Sequence, residues 1–319
     1  MSWFFLALIC VFGWGCADLF YKIGSREEDR YSHLRIAVWV GLVMGVCAVA
    51  LLPFSESGLS PAQLVNKAVA YAPASLSYII SMVIGYAGMR YLELSIVSPV
   101  QNASGALSAV AMVLYFVVTG NAARITGAFS QWELVGTGAI VVGMILLAVE
   151  EQRLSRREAA AGDQKYRIGA LALVCPLLYC VFDTVGTAAD GILLDEEAGL
   201  GLGEIDVIIL YGLTFFAAGL AAWVFLAVRE KKPYNPFAKG EWPKGVAAVC
   251  EEFGQVFYVY AMAARPVLAA PMVASYCIVS VLLSRIFLGE KLRGGQYVCL
   301  ACVIAGILML GIAEGLNAA

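Results

Sequence analysis

Apolar residues run along this chain in blocks of about 20, which are separated by short polar stretches. A helix rises about 1.5 Å per residue, so about 20 apolar residues cross the roughly 30 Å of hydrocarbon in a bilayer. The pattern predicts an all-α, polytopic membrane protein of ten transmembrane helices. We number the predicted spans 1 to 10, at residues 3–23, 33–53, 70–90, 95–118, 131–148, 168–189, 206–228, 244–264, 266–288 and 293–312.

The composition agrees with this pattern and excludes several other classes. The chain has 319 residues, of which 61% are hydrophobic and 14% are charged. No gap between spans is long enough for a soluble domain, and the first span lacks a small-residue cleavage site, so we expect it to be retained. All nine cysteines fall inside predicted spans, which argues against a disulfide framework or a zinc site. We therefore expect no metal and no cofactor.

The charges indicate how the protein lies in its membrane. With ten spans, the odd-numbered loops share one face, and 18 of the 21 Lys and Arg residues lie in or beside them. The other three are Lys67, Arg124 and Arg265. Cytoplasmic loops carry the excess of positive charge. We therefore predict a multi-pass protein of the cytoplasmic membrane whose termini are both outside. The acidic loop 190–206 agrees, since it has six acids and no base.

The chain also contains an internal duplication. The stretch from Leu6 to Asp18 recurs 165 positions later, from Leu171 to Asp183, with five of 13 residues identical. Pro99 in span 4 likewise has a counterpart 172 positions on, in span 9. Because each half has an odd number of spans, the second half must enter the membrane from the opposite side. We predict two inverted repeats, at residues 1–150 and 168–319, joined by a cytoplasmic linker at 151–167. This architecture is typical of secondary transporters.

Short motifs make the resemblance more specific. The turn 288–292 reads Leu-Gly-Glu-Lys-Leu and is followed by Gln296 and by Ile-Ala-Gly-Ile at 304–307. Together with a small residue before Pro99 and before Pro271, this resembles the ten-helix EamA-like branch of the drug/metabolite transporter superfamily. The first half instead has Thr-Gly-Asn at 119–121, so no role is transferred to that turn. The resemblance implies transport of small metabolites and specifies no substrate.

Each repeat places an aromatic ring one helical turn from an acid. Trp14 and Asp18 are four positions apart in span 1, as are Tyr179 and Asp183 in span 6, so each pair shares a helix face. A carboxylate beside a ring suits a cation. It also suits a proton, because burial disfavours the charged form of a carboxyl. Asp18 has an alternative explanation in an intrahelical pair with Lys22, whereas Asp183 has no base one turn away.

Further polar residues interrupt the apolar spans. Two adjacent acids in span 8 point about 100° apart, and we expect at least one of them to line the pathway while the other can reach toward the cytoplasm. Two amides in span 4 need partners within hydrocarbon. The full set of predicted substrate-binding residues is Trp14, Asp18, Gln101, Asn102, Tyr179, Asp183, Glu251, Glu252, Gln255, Tyr258 and Tyr276.

These observations favour a secondary active transporter that moves a small cationic or zwitterionic metabolite by alternating access, with protons as a possible coupling ion. Motifs of ATP-driven transport and of common membrane hydrolases are absent from the sequence, so we predict no enzyme activity and no nucleic-acid partner. Two alternatives stay open: a flippase for lipid-linked substrates, and a non-transporting membrane partner subunit. The protein is expected to be a monomer or a homodimer; Gly41 and Gly45, a G-x-x-x-G pair, suit either a dimer face or packing within the bundle.

Overall fold

The computed structural model describes residues 1–26, 28–55, 61–121, 129–160, 174–195 and 199–318. Within these ranges the regular structure is helical and contains no strand, so the predicted fold class is confirmed. The ten long helices are α1 Trp3–Gly24, α2 Ser32–Leu51, α3 Pro61–Met89, α4 Leu94–Val118, α5 Gln131–Ala160, α6 Val174–Leu193, α7 Glu204–Glu230, α8 Trp242–Ala264, α9 Pro266–Leu288 and α10 Gly294–Ala318.

Eight of these helices are long and apolar enough to cross a membrane by length and composition. The other two, α6 and α8, carry acids within apolar sequence, which lowers their hydropathy. The sequence prediction for span 6 began at residue 168, and residues 168–173 lie outside the described part of the chain. It ended at residue 189, but α6 continues to Leu193. Asp190, which was assigned to a loop, therefore lies inside the helix.

Helix α9 is interrupted near its middle. A first segment ends at Ala274, and a second begins at Cys277. Pro271 lies inside the first segment and cannot donate a backbone hydrogen bond to the preceding turn. The helix then ends in a π-turn, after which Gly289 takes a left-handed backbone with φ of 70°. Gly120 does the same after α4, with φ of 80°, so the turns that follow α4 and α9 use a glycine in the same way despite their different sequences.

Each helix of the first half has its counterpart five numbers later in the second half, and the packing pairs follow this correspondence. Helix α1 packs on α8, and correspondingly α3 packs on α6, while α2·α7, α4·α9 and α5·α10 are pairs that map onto themselves. This is the packing expected of two related five-helix repeats. The proposed boundaries at residues 150 and 168 stay a prediction.

Close helix contacts depend on glycine at the pair α2·α7. A Cβ on Gly41 would lie 2.5 Å from the carbonyl oxygen of Phe215, and one on Gly45 would lie 2.6 Å from the ring of Phe216. Both glycines of the G-x-x-x-G pair thus pack against α7 within the bundle. Most of the buried polar residues lie on the other helices α1, α3, α4, α6, α8 and α9.

Candidate functional site

Four aromatic side chains form a layer at the centre of the bundle. Trp14, Tyr78, Tyr179 and Tyr276 each line two separate small cavities, and we call these four residues the aromatic layer. The ring of Trp14 stacks on Tyr78 with centroids 6.2 Å apart and meets Tyr276 edge to face at 5.6 Å. Tyr258 adds a further ring, 5.1 Å from Trp14. Each repeat contributes two members of the layer.

The position of Trp14 depends on how closely α1 approaches α8. A Cβ on Gly254 of α8 would lie only 2.3 Å from Cδ1 of Trp14, a distance that no real side chain tolerates. The indole nitrogen Nε1 then donates a hydrogen bond of 3.1 Å to the backbone carbonyl of Glu251. Because residue 254 is a glycine, the indole of Trp14 can pack directly against the backbone of α8.

The first cavity contains Asp18 and Glu251, and we call it the Asp18 cavity. Hydroxyl groups of Ser98 on α4 and Ser280 on α9 donate to the same oxygen of Asp18, at 2.6 and 2.7 Å. Tyr78 donates to Oε1 of Glu251 at 2.6 Å. The space open to the centre of a water molecule is about 10 Å³, which is room for about one water.

The second cavity, on the other side of the aromatic layer, contains Asp183, and we call it the Asp183 cavity. Ser104 donates a 2.6 Å hydrogen bond to Oδ2 of Asp183, while Asn102, Thr187 and Tyr258 complete the polar part of the wall. The corresponding open space is about 20 Å³. Because Asp18 and Asp183 are repeat counterparts, each cavity presents one acid of the duplicated pair.

No basic residue of the described part of the chain lines either cavity. Lys22, the sequence-based candidate partner of Asp18, directs Nζ to the carbonyl oxygens of Met89 and Leu92 at the end of α3, at 2.7 and 2.6 Å. Asp18 instead receives the serine hydroxyls described above. The two cavities together hold three acids, so the site is acidic and aromatic. Among the described residues, no cluster of histidine, cysteine, aspartate or glutamate has the arrangement of a metal site.

Most of the predicted site residues meet at these cavities. Nine of the eleven line one or both of them, namely Trp14, Asp18, Gln101, Asn102, Tyr179, Asp183, Glu251, Tyr258 and Tyr276. The other two, Glu252 and Gln255, are buried on α8 but line neither cavity. Glu252 is turned toward Cys47 on α2, as its 100° separation from Glu251 requires.

Sequence reasoning missed two residues of this region. Tyr78, the hydrogen-bond donor to Glu251, gave no signal, because a tyrosine in an apolar span is usual. Asp190 follows Asp183 by seven positions and so shares its face of α6, which could have drawn attention to it. The predicted end of span 6 hid that relationship.

Two carboxylates, one in a turn and one in the first turn of a helix, join helix ends on opposite faces of the bundle. Glu290, in the turn between α9 and α10, accepts hydrogen bonds from the backbone nitrogens of Leu94 and Ser95 at the start of α4, at 2.9 and 2.8 Å. At the opposite face, Glu133 at the start of α5 pairs with Arg265, which precedes α9, at 3.2 Å. The two contacts occupy equivalent places in the two repeats.

Comparisons with known proteins agree with this architecture. The sequence model of the EamA-like transporter family matches residues 198–312, which contain α7 to α9 and most of α10. A solved crystal structure of a protein with 13% sequence identity superposes with a TM-score of 0.59, covering 98% of this chain and 97% of the other. At that identity the likeness shows the fold alone. The search of curated proteins found no match. Over residues 198–312 the chain is thus similar to the EamA-like transporter family, in agreement with the resemblance that the sequence motifs indicated.

Proposed function

We propose that this membrane transporter is a secondary active carrier of a small cationic or zwitterionic metabolite, such as an amine or an amino acid. It works by alternating access across the cytoplasmic membrane and couples transport to protons. The family match supports transport by a protein of this type. The substrate class, the coupling ion and the mechanism are inferences from the site.

The lining of the two cavities is the observation that supports this substrate class. Asp18, Glu251 and Asp183 face them, and no lysine, arginine or histidine within the described ranges belongs to the lining. Aromatic faces surround the acids, and a cation over such a face gains about 0.5 to 2 kcal/mol. An anionic substrate would meet three acids and no base there. A positively charged group is therefore the chemistry that this site recognises best.

The duplicated arrangement supports alternating access. Asp18 and Asp183 lie in cavities on opposite sides of the aromatic layer, and each cavity is nearly closed. Inverted repeats can exchange their two conformations about a central site, so that each side opens in turn. In this mechanism the aromatic layer keeps the two cavities separate while one of them is open.

The proposed orientation follows from the loops. The Asp18 cavity lies toward the face with most of the lysine and arginine residues, where Lys22 and Glu290 bind helix ends. Positive loops favour the cytoplasm. We therefore assign the Asp18 cavity to the cytoplasmic half and the Asp183 cavity to the outer half, with both termini outside.

A thermal-shift screen identifies the ligand class, because a compound that binds the folded state raises its melting temperature. We expect shifts with amines or amino acids and none with neutral sugars or with nucleosides.

Uptake of the compounds that bind is then measured in liposomes, and Asp183→Asn and Glu251→Gln should each reduce it, with a larger loss in the double variant. Glu252→Gln is the matched control, because that acid lies outside both cavities. Undiminished uptake in the double variant would show that the acidic site is not used.

One observation favours the lipid-handling alternative. A groove of about 370 Å³ lies between α4, α5 and α6, lined by Leu107, Ile145, Leu177 and Cys180 among other apolar residues. Its size and apolar lining suit a hydrocarbon chain, and Cys180 is one turn from Asp183. Competition by anionic phospholipid against binding of the amines, together with flipping of a labelled lipid in liposomes, would favour this function over metabolite transport.

A further inference from the structure

Asp190 is a buried acid that the proposed substrate site does not use. Its side chain is 0% exposed, and neither carboxyl oxygen has a hydrogen-bond partner in the described structure. No lysine or arginine of the described residues forms a salt bridge with it. A carboxylate that is buried without a counter-charge is costly, and in membrane proteins such residues commonly mark ion pathways.

Among the described residues, the surroundings of Asp190 contain polar hydroxyl groups but no charge of opposite sign. Tyr211 on α7 and Tyr258 on α8 are directed toward its carboxyl, but neither reaches an oxygen with hydrogen-bonding geometry. Next to it in sequence, Gly191 packs against Met112 on α4 and Pro266 on α9, since a Cβ there would lie 2.4 and 2.9 Å from them. Apolar groups therefore close this region from the outer side.

As far as the structure describes them, the nearest helices bring no other charge to the carboxyl of Asp190. Helix α3 contributes Tyr71 and Tyr78, whose rings pack edge to face on Tyr211 at 5.4 and 5.8 Å. Arg265, which precedes Pro266 in the chain, directs its guanidinium to Glu133 instead. On α6 itself the other acid is Asp183, two turns away.

Asp190 is nevertheless connected to the Asp183 cavity. Asp183, Thr187 and Asp190 are spaced by four and three residues, so they follow one face of α6. Tyr258 belongs to the wall of the cavity and also approaches Asp190. A proton that reaches the cavity thus meets a row of hydroxyl and carboxyl groups leading to Asp190.

We propose that Asp190 is a proton-binding site distinct from the substrate site, and that it carries the coupling proton in the outer half of the transporter. The coupling role of this proton rests on the proposed function, whereas proton binding at Asp190 does not depend on it. Protonation turns an unpaired buried charge into a neutral acid. Movement of Tyr258 on opening of the Asp183 cavity gives that acid its route to solvent.

The first experiment tests proton binding without any substrate. Purified protein in lipid is taken through a pH titration while the C=O stretch of protonated carboxyls is followed by infrared difference spectroscopy. We expect Asp190→Asn to remove one buried carboxyl band. Asp206→Asn is the matched control, because Asp206 is also 0% exposed but is hydrogen-bonded by Ser55 at 2.6 Å. A spectrum of Asp190→Asn that equals the wild-type spectrum would overturn the proposal.

If Asp190→Asn does not fold, Tyr211→Phe tests the same carboxyl, because it removes a hydroxyl that is directed toward Asp190 and should therefore shift the Asp190 band. An unshifted band would again overturn the proposal. A second experiment tests coupling in liposomes with radiolabelled putrescine, lysine and serine. Asp190→Asn should abolish accumulation driven by a pH gradient but retain exchange of probe across the membrane. Retained accumulation would exclude the coupling role. If none of the three probes moves in wild-type protein, the substrate class is wrong, and the infrared result still decides the proton site.

Discussion

Tyr78 on α3 donates a 2.6 Å hydrogen bond to the carboxyl of Glu251 on α8. These two helices are counterparts in the two repeats, so the bond joins the halves of the molecule at the edge of the aromatic layer. Glu251 is the acid of the Asp18 cavity that has no counterpart in the other repeat. Tyr78 was not among the residues that the sequence predicted for the site.

Replacing Tyr78 by phenylalanine should destabilise the protein. A buried hydrogen bond contributes about 0.5 to 1.5 kcal/mol net, and leaving its acceptor unsatisfied costs about 1 to 3 kcal/mol. We expect a lower melting temperature in detergent for Tyr78→Phe. Tyr71→Phe is the control, because the Tyr71 hydroxyl is buried without a partner. Equal effects of the two substitutions would show that the bond to Glu251 contributes nothing to stability.

Gly254→Ala should disturb the aromatic layer. The added methyl group would meet Trp14 at 2.3 Å, and such overpacking costs about 1 to 3 kcal/mol. We expect a lower melting temperature together with a change in tryptophan fluorescence. Gly138→Ala, on α5, adds the same group where nothing lies within 4 Å, and should leave both signals nearly unchanged. Unaltered fluorescence in Gly254→Ala would contradict the close approach of α1 and α8.

Removal of the Glu290 carboxylate should weaken the start of α4. Its two oxygens bind the nitrogens of Leu94 and Ser95, and losing a helix cap of this kind costs about 1 kcal/mol. Hydrogen exchange at those amides measures the effect directly, and we expect it to accelerate in Glu290→Ala. Lys291→Ala, at the exposed neighbouring position, should leave the exchange rates as they are. Faster exchange in both variants would point to the turn as a whole instead of the cap.

Stability should depend on pH through Glu241, which precedes α8. Burial acts to raise the pKa of this carboxyl, but hydrogen bonds from Lys244 and Tyr234 lower the pKa below its usual value. Since the folded pKa lies below the unfolded one, ionised Glu241 stabilises the fold above about pH 4.5, and this contribution is lost as the pH falls through the folded pKa.

Glu241→Gln tests this relation. Its melting temperature should fall below that of the wild type at neutral pH, and the difference should shrink as the solution is acidified below pH 4.5 or so. A difference that stays constant across the acidic range would show that the charge of Glu241 is not what stabilises the contact with Lys244. Tyr234→Phe removes the second hydrogen-bond donor to Glu241. It should bring the folded pKa of Glu241 closer to the unfolded pKa, and so narrow the pH range over which this stability is lost without abolishing the effect.

The duplication pointed to residues that line the two cavities of the candidate site, because it compares two positions that face the same physical demand. A ring and an acid one turn apart, present twice, already indicated Trp14, Asp18, Tyr179 and Asp183. Hydrophobic periodicity likewise predicted the helices, since the bilayer sets their length. Both signals are local to one helix and do not depend on how the helices pack.

Contacts between helices were not predictable in this way. The serines that bind Asp18 come from α4 and α9, and nothing in a single span indicates that two of them meet one carboxyl. Lys22 was a reasonable partner for Asp18 by spacing, yet its amine binds the end of α3 instead. Asp190 was misplaced because the end of a span is the least certain part of a hydropathy pattern. The hydropathy pattern at the end of a span does not show how deeply a residue such as Asp190 lies in the bundle.

The small volumes of the Asp18 and Asp183 cavities bear on every affinity that will be measured. Spaces of about 10 and 20 Å³ leave room for about one water each, so the proposed amine or amino acid substrates require the cavities to enlarge. The observed dissociation constant then equals the intrinsic one divided by the fraction of molecules that are open. A substitution that raises the open fraction should therefore raise the apparent affinity even if it changes no contact with the substrate. Tighter binding alone will not identify a residue that contacts it.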